Sequence, residues 1–511
     1  MSSRLTRRDF LKLTSALALT PLAQSLPIAA AGGAAQGVRP NILVILFDAL
    51  SAHHLSLYGY PRRTSPNLER FAAQANVYHN HHTAGNYTTP STASLFTSTY
   101  PWTHRALNLS SLISPQVQPY NLFRLMEGFY TQAAFAQNTF ADMLLYQFQE
   151  YLGRHEPVDS FSLAGHTFYD KLLKRDAIYG MKSLDQFLFK REEAHGSLFL
   201  SLLNDWTSQL GYQLQSARLK GSYPSGPPRL ANTDVYFDLG QTMDGVMEWL
   251  DKLPAPSLAY LHFMPPHAPY VPTRQYAGAF ADGWAPETKK KHRLAAGVLQ
   301  ERLNSLRQTY DEFIANLDAE FGRLLDRLEQ RGWLENSYVI FTSDHGELFE
   351  RGASGHSTPL VFEPGIRVPL IISTPGQSAR REFTSLTSNV DLLPSLLWIA
   401  GQPIPDWCEG QALPGLGGEE TKGRTIYVVE AKANPAFTPL RKATLALLRW
   451  PYKLVHYLGY RYYPDNYELY DLENDPEERR NLYPEHPAAR TLQAELDEKL
   501  RQVNEPYQRK G

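Results

Sequence analysis

The stretch NILVILFD, Asn41–Asp48, is a nearly continuous apolar run that stops at an acid. A run of this length without polar alternation is typical of a strand buried on both faces of a parallel sheet. Similar runs occur at 258–263 and 338–341, and shorter candidates lie at 133–136 and 370–372. The sequence therefore predicts several buried strands.

Helical patterns separate these runs. The clearest extends from about Asn304 to Arg331, where apolar residues recur at three- and four-residue spacing, and Gly332 is placed to end the helix as a C-cap. Strands that alternate with helices predict an α/β fold built on a doubly wound, mostly parallel sheet.

Chemically active side chains follow the ends of the predicted strands. Asp48, His267, Asp344 and His345 each come just after such an end. Ligands of open α/β sheets bind beyond the carboxyl ends of the strands. We therefore expect these side chains to meet at one edge, although they are far apart in sequence.

Asp48, Asp344 and His345 offer the ligand types of a divalent metal site. Carboxylates suit hard cations, and an imidazole nitrogen shifts the preference toward zinc or manganese. The sequence predicts one divalent ion, with zinc or manganese favoured and calcium or magnesium as alternatives. An Asp at a strand end can also simply cap a helix or form an Asx-turn.

The stretch TTPSTASLFT, Thr88–Thr97, resembles the active-site loop of the sulfatase family within the alkaline phosphatase superfamily. The Asp-His-Gly-Glu motif at 344–347 and the segment MPPHAPY at 264–270 resemble further motifs of that family. The resemblance implies an alkaline-phosphatase-like α/β fold with a small C-terminal α+β subdomain. It also implies an ester hydrolase.

Two departures from the sulfatase pattern concern the chemistry. In sulfatases the first loop position is a Cys or Ser that is oxidised to formylglycine and the fifth is an Arg; here they are Thr88 and Thr92. Sulfatases also have two adjacent Asp at the first strand end, and here the second is Ala49. These features are more similar to relatives such as lipoteichoic acid synthase and phosphoethanolamine transferases, which use a threonine nucleophile.

A secondary alcohol cannot become the formylglycine aldehyde. The sequence therefore predicts Thr88 as a nucleophile activated by the metal, to which it adds an oxygen ligand. A helix is expected to begin just beyond Thr88, so that its free N–H groups attract an anionic ester. The alternative is that Thr88 merely caps this helix.

Two histidines are predicted to complete the site. His267 lies in the Pro-His-x-Pro-Tyr segment, and His356 lies in a Gly-His-Ser segment that resembles the family's pattern after Asp-His-Gly. Because imidazole titrates near neutral pH, either residue could protonate the leaving group or bind the transferred group. A purely structural role is the alternative for both.

The N-terminus resembles a twin-arginine export signal. Arg7 and Arg8 precede Phe-Leu-Lys, an apolar run and the small residues of 29–31. We expect a signal peptide over residues 1–36, the twin-arginine machinery as partner, a periplasmic or extracellular location, and no stable membrane span after cleavage. An ordinary basic leader is the alternative.

A catalytic domain is predicted over 37–424, with a helical insertion at about 141–235, and a C-terminal subdomain over 425–511.

Composition limits the classes of partner. A formal net charge of −2 argues against capture of nucleic acid. Cys408 is the only cysteine of the 511 residues, so the chain cannot form an internal disulfide.

These observations predict an exported, metal-dependent hydrolase of phosphate or sulfate esters, with phosphorus esters favoured. The substrate would be a small-molecule or a glycan- or lipid-linked anionic ester. Two alternatives stay open: a transferase that moves a phosphoryl-linked head group onto an envelope glycan or lipid, and a non-catalytic binding protein on a degenerate sulfatase fold.

Overall fold

The apolar run Asn41–Phe47 forms the central strand, β1, of an eight-stranded sheet. A computed structural model of the protein describes residues 39–163, 210, 213–214, 217–231, 233, 235–463 and 466–508. The expected signal peptide and much of the expected insertion lie outside the described residues.

The eight strands of the main sheet run in the order β11-β2-β10-β7-β1-β6-β4-β5. In chain order they are β1 (Asn41–Phe47), β2 (Asn76–Tyr78), β4 (Thr131–Ala136), β5 (Arg154–Glu156), β6 (Ser257–Phe263), β7 (Ser337–Thr342), β10 (Leu370–Ser373) and β11 (Arg381–Phe383). The five strands from β7 to β5 are parallel, and β10 is antiparallel to both of its neighbours. Short strand pairs are formed by β3 (His81–His82) with β12 (Thr387–Ser388) and by β8 (Leu348–Glu350) with β9 (Ala353–Gly355).

Strand β1 is apolar throughout because both of its faces are covered. Leu43, Ile45 and Phe47 belong to one buried cluster, whereas Ile42, Val44 and Leu46 belong to another on the opposite face. All seven residues of β1 are buried. This packing fixes the strand between β7 and β6 and places Asp48 at the carboxyl edge of the sheet.

Ten α-helices have bounds that the structure describes. They are α1 (Pro66–Ala72), α2 (Thr88–Thr97), α3 (Pro101–His104), α4 (Leu122–Leu125), α5 (Thr139–Gln147), α6 (Leu239–Leu250), α7 (Gln300–Gln330), α8 (Glu363–Ile366), α9 (Leu392–Ile399) and α10 (Ala488–Gln508). Helix α7 begins at Gln300, four residues before the expected Asn304. The sequence pattern misses this first turn because the turn is polar except for buried Leu303. Gly332, at φ 68°, follows its end. None of the described helices is both long and apolar enough to cross a membrane.

A smaller antiparallel sheet follows near the C-terminus. It consists of β13 (Thr425–Glu430), β14 (Ala443–Arg449), β15 (Tyr452–Leu458) and β16 (Asn466–Asp471), and α10 packs against it. Its Lys453 is fully buried and forms ion pairs with Glu363 of α8 and with Glu478. These pairs connect the smaller sheet to the segment that follows the Asp-His-Gly-Glu motif.

Candidate active site

Two aspartates meet at the carboxyl edge of the main sheet. Asp48 directly follows β1, and Asp344 comes two residues after the adjacent β7. One oxygen of each carboxylate is committed: Asp344 Oδ1 accepts from the backbone N–H groups of Ala49 and His345, and Asp48 Oδ2 accepts from Asn138. The other oxygens, Asp48 Oδ1 and Asp344 Oδ2, are buried and have no hydrogen-bond partner among the residues that the structure describes.

His345 directs a ring nitrogen at these bare oxygens. Its Nδ1 donates to the carbonyl of Gly346 at 3.0 Å, so Nε2 keeps its lone pair. Nε2 lies 3.5 Å from Asp48 Oδ1 and 3.4 Å from Asp344 Oδ2. The ligand atoms of the three residues all lie within 4.8 Å of one another. Two bare carboxylate oxygens and an imidazole lone pair, all buried, fit one divalent cation.

The pKa values of the two carboxyl groups diverge. Burial acts to raise the pKa of Asp48, but electrostatic interaction with His267 and a hydrogen bond from His262 hold it below the ordinary value. Burial and the neighbouring Asp48 charge raise the pKa of Asp344. Two carboxylates in this position repel each other unless a proton or a cation lies between them.

Ala49 occupies the position where the sulfatase pattern has a second acid. Its φ of 60° is in the left-handed region, which turns its backbone N–H toward Asp344 Oδ1 at 3.1 Å. At this position the chain therefore contributes a backbone donor that orients Asp344, and no ligand.

Thr88 is the first residue of α2, and it is 3% exposed. Its Oγ1 lies 3.4 Å from His345 Nε2 and accepts a 3.2 Å hydrogen bond from Asn138. The neighbouring Thr89 hydroxyl donates to the carbonyl of Leu109 and is therefore occupied elsewhere. Tyr87 is the N-cap residue, and among the described residues no side chain caps this helix. The alternative in which Thr88 is the cap does not match this geometry.

The two sequence-predicted histidines lie beside this group. The ring centroids of His267 and His356 are 4.8 Å apart, and those of His356 and His345 are 4.2 Å apart. His267 Nδ1 donates to the carbonyl of Ala268 at 2.6 Å. His356 Nδ1 lies 3.1 Å from Glu347 Oε1. The structure thus brings Asp48, Thr88, His267, Asp344, His345 and His356 together at one edge of the sheet.

Asn86 holds the loop that carries His356. Its Nδ2 donates to the carbonyls of His356, Thr358 and Leu360, at 3.1, 2.9 and 3.3 Å. Because Asn86 precedes Thr88 by two residues, this contact fixes the His356 loop relative to the start of α2.

Three further residues of the site were missed by the sequence reasoning: Asn138, His262 and Glu347. Asn138 lies two residues after β4, so the strand-end argument applied to the run 133–136 could have found it. Glu347 is part of the Asp-His-Gly-Glu motif, and burial acts to raise its pKa, but His356 lowers it below the ordinary value. His262 lies inside the apolar run of β6, where the sequence gives no sign of a site.

His262 supports Asp48 from the neighbouring strand. Its Nε2 lies 3.2 Å from Asp48 Oδ2, and its Nδ1 lies 3.0 Å from the hydroxyl of Tyr260. Burial raises the pKa of Tyr260 well above 10, so this hydroxyl keeps its proton. Since Asp48 is an acceptor, the consistent arrangement is Tyr260 O–H to His262 Nδ1 and His262 Nε2–H to Asp48.

Two models of known protein families match the sequence of this chain. The family model described as Sulfatase matches residues 40–402. The chain belongs to the sulfatase family. A second model, described as N-sulphoglucosamine sulphohydrolase, C-terminal, matches residues 356–506. As a member of the sulfatase family, the chain is an ester hydrolase.

Curated relatives resemble most of this sulfatase-family chain. The choline-sulfatase of Rhizobium meliloti (strain 1021) is 26% identical over 482 residues, covering 90% of this chain and 85% of the relative. The ulvan-active sulfatase of Formosa agariphila is 25% identical and covers 90% of this chain and 80% of the relative.

Solved structures share the fold. The phosphonate monoester hydrolase of Agrobacterium radiobacter superposes with a TM-score of 0.64 at 20% identity, covering 92% of this chain and 96% of that one. A structure described as a 2-O GAG sulfatase gives a TM-score of 0.61 at 17% identity, covering 92% and 94%. Together they support the α/β, alkaline-phosphatase-like architecture.

Proposed function

We propose that this sulfatase-family member is a metal-dependent hydrolase in which Thr88 attacks the ester, with phosphorus esters as favoured substrates and sulfate esters as the alternative. The observation that carries the proposal is the position of Thr88 Oγ1, 3.4 Å from His345 Nε2 at the edge shared with Asp48 and Asp344. Because threonine cannot supply formylglycine, its hydroxyl is the nucleophile available at this position.

The residues proposed to hold the metal are Asp48, Asp344 and His345, with Thr88 adding an oxygen. Zinc or manganese is favoured because a histidine nitrogen joins the carboxylates. When bound, such a cation withdraws charge from ester oxygens and lowers the pKa of a coordinated hydroxyl.

The proposed reaction has two balanced steps. In the first, a bond forms between Thr88 Oγ1 and phosphorus while the ester P–O bond breaks. The leaving oxygen keeps the bonding pair and receives a proton from a histidine, and the Thr88 proton passes to water. In the second step, water attacks phosphorus and the bond between phosphorus and Thr88 Oγ1 breaks. A proton of the attacking water passes to Thr88 Oγ1, and the histidine recovers its proton from solvent. One water is consumed for each ester cleaved.

We assign the proton donor to His356 and the binding of ester oxygens to His267. His356 Nδ1 lies 3.1 Å from Oε1 of the buried Glu347, and an imidazole oriented by a carboxylate is a common arrangement for a general acid or base. His267 donates from Nδ1 to a backbone carbonyl, which fixes the orientation of its ring.

The preference for phosphorus esters is based on the identity of the site residues and not on the fold, since one fold can host different chemistries. A structural neighbour is named as a phosphonate monoester hydrolase and another as a GAG sulfatase. Thr88 in place of a formylglycine precursor favours the phosphorus ester.

The test is a substrate panel with Thr88 variants. Protein loaded with zinc, manganese or calcium would be assayed on aryl phosphate, phosphodiester, phosphonate and sulfate esters. We expect turnover of a phosphorus ester, its loss in Thr88→Ala, and a phosphoryl adduct on the peptide that contains Thr88. Turnover of sulfate esters alone, undiminished in Thr88→Ala, would overturn the proposal.

The same assays separate the alternatives. A head-group transferase would need a second acceptor, so full-rate release of product in water counts against it. A non-catalytic binding protein would bind the esters without turnover in every metal-loaded form.

Export is also part of the proposal. Arg7 and Arg8 followed by Phe-Leu-Lys support the twin-arginine route and a periplasmic or extracellular location. We expect the double substitution Arg7→Lys and Arg8→Lys to retain the protein in the cytoplasm. Unchanged export of this variant would contradict the proposal.

A further inference from the structure

Asn138 connects the nucleophile to a metal-site carboxylate. The residue is 3% exposed, and its Nδ2 donates to both Asp48 Oδ2 and Thr88 Oγ1, the latter at 3.2 Å. These two bonds use both N–H groups of the side-chain amide. One amide therefore contacts the oxygen proposed to attack and the carboxylate that follows β1.

The orientation of this amide is fixed by helix capping. Asn138 is the N-cap of α5, and its Oδ1 accepts from the backbone N–H of Phe140 at 2.9 Å. A flipped amide would place Nδ2 against a backbone donor and Oδ1 against the Asp48 carboxylate, which is an acceptor. Both contacts would then be lost. The start of α5 thus directs the Asn138 donors at the site.

This orientation has a consequence for Thr88. The hydrogen bond from Asn138 occupies one lone pair of Thr88 Oγ1, so the hydroxyl proton points elsewhere. As that proton leaves, negative charge develops on Oγ1 and the bond from Asn138 strengthens. A fixed donor aimed at developing charge in a buried site stabilises a transition state more than a ground state.

We propose that Asn138 is a catalytic residue that orients Thr88 Oγ1 and stabilises its negative charge. This inference rests on the proposed role of Thr88 as the nucleophile. Asn138 transfers no proton in either step. When water attacks the Thr88 adduct, the same bond stabilises the departing Oγ1. The chemistry that Asn138 recognises is an alkoxide, and the substrate itself is held by other residues.

Asn121 offers a matched comparison for the capping role. It is buried, caps α4 through Oδ1 to the N–H of Arg124, and donates from Nδ2 to the carbonyl of Gln118. The two residues therefore share the cap, and they differ in what the amide donor contacts. If capping were the whole role of Asn138, equivalent substitutions at both positions would have equivalent effects.

The experiment compares Asn138→Ser with Asn121→Ser in the full-length, zinc- or manganese-loaded protein. Serine preserves an N-cap oxygen but is too short to reach Thr88. We measure kcat and KM on 4-nitrophenyl phosphate, the rate of adduct formation on Thr88, metal affinity by chelator competition, and the unfolding midpoint. At saturating metal, we expect Asn138→Ser to lower kcat and adduct formation about 10²- to 10³-fold, as for loss of one oxyanion-stabilising donor. Asn121→Ser should keep kcat within about twofold.

The outcomes separate the inference from the proposed function. An adduct on Thr88 in the unsubstituted protein, together with full adduct formation in Asn138→Ser, would overturn the role of Asn138 alone. Absence of the adduct with an active Thr88→Ala variant would overturn the proposed function. A fall in kcat with an unfolding midpoint matching that of Asn121→Ser supports the inference. Recovery of the rate by added metal alone overturns it, since the defect would then be in metal affinity.

Discussion

Two buried clusters in this molecule pair carboxylates in different ways. At the edge of the main sheet, Asp48 and Asp344 each keep a bare oxygen, and the nearby nitrogens belong to histidines. In the second cluster, Glu363 and Glu478 share the ammonium group of Lys453, at 3.0 and 2.6 Å. All five of these acidic and basic side chains are almost fully buried.

The difference indicates which cluster needs a partner from outside. Burying two carboxylates is costly unless a cation neutralises them. In the Glu363–Lys453–Glu478 cluster the chain supplies that cation itself, so the cluster needs no ion from outside. In the Asp48–Asp344 cluster it does not, which is the arrangement expected of a site that recruits a metal.

The largest expected effect is loss of activity in Asp344→Asn. This substitution removes a charged side chain from the proposed metal site. At equal metal concentration kcat/KM should therefore fall roughly 10³-fold or more, which corresponds to several kcal/mol of transition-state stabilisation. Without metal the variant should be as stable as the unsubstituted protein or more stable, because repulsion with Asp48 is relieved. Kinetics and chemical denaturation of the apoprotein check both statements. Asp318→Asn, which changes a buried Asp on α7, is the control and should retain full activity.

The opposite pattern is expected for Lys453→Met. Removal of the ammonium group leaves Glu363 and Glu478 buried without their cation, so the free energy of unfolding should fall by about 3–5 kcal/mol. Metal affinity in the folded fraction should not change. Denaturant unfolding and chelator competition measure the two quantities. Adding Glu363→Gln and Glu478→Gln to Lys453→Met should restore part of the stability, and a triple variant no more stable than the single one would contradict this explanation.

A smaller effect is expected at His262, which holds Asp48 through Nε2. His262→Leu should weaken metal binding about 10- to 100-fold, the usual effect of losing a partner of a metal ligand. His262→Gln retains a donor and should recover much of the affinity, and Tyr260→Phe should have the weaker effect of releasing the ring orientation. Equal losses in the Leu and Gln variants would indicate that His262 binds the metal directly.

The smallest effect concerns a third way of burying a carboxylate. Asp318 accepts from the N–H groups of Asn67 and Leu68 at the start of α1, and burial raises its pKa to about 6, above the ordinary 3.8. Between roughly pH 4 and 6 the folded protein therefore holds a proton that the unfolded chain has released. The contribution of Asp318 to stability falls as pH rises through this window, by about 1–3 kcal/mol in all, and is constant above it. Unfolding measured across pH should show a flatter profile in Asp318→Asn.

Much of the main sheet and of the site could be predicted from the sequence, because buried parallel strands have a distinctive composition. The bounds of β1 agree with the apolar run. Asp48, Asp344 and His345 lie together, as expected of residues that follow the ends of parallel strands. The Pro-Ser register of the loop predicts the position of Thr88, which the structure places at the start of α2.

Other features depend on tertiary pairing, which the sequence does not express locally. The run Leu370–Ile372 indicates a strand but not that β10 is antiparallel. His262 is one polar residue in an apolar strand, and its role depends on the pairing of β6 with β1. Likewise, Glu363 and Lys453 lie 90 residues apart, and neither local pattern indicates the other.

The position of β1 has a consequence for how folding can be followed. Residue 48 follows β1, residue 138 follows β4, residue 262 lies on β6 and residue 344 follows β7. These four strands are adjacent and parallel. A shift of one residue between any two would turn alternate side chains to opposite faces and separate the ligands. If the proposed metal site is correct, metal uptake during refolding measures the fraction of molecules whose central strands have reached the native register, separately from signals that report only secondary structure.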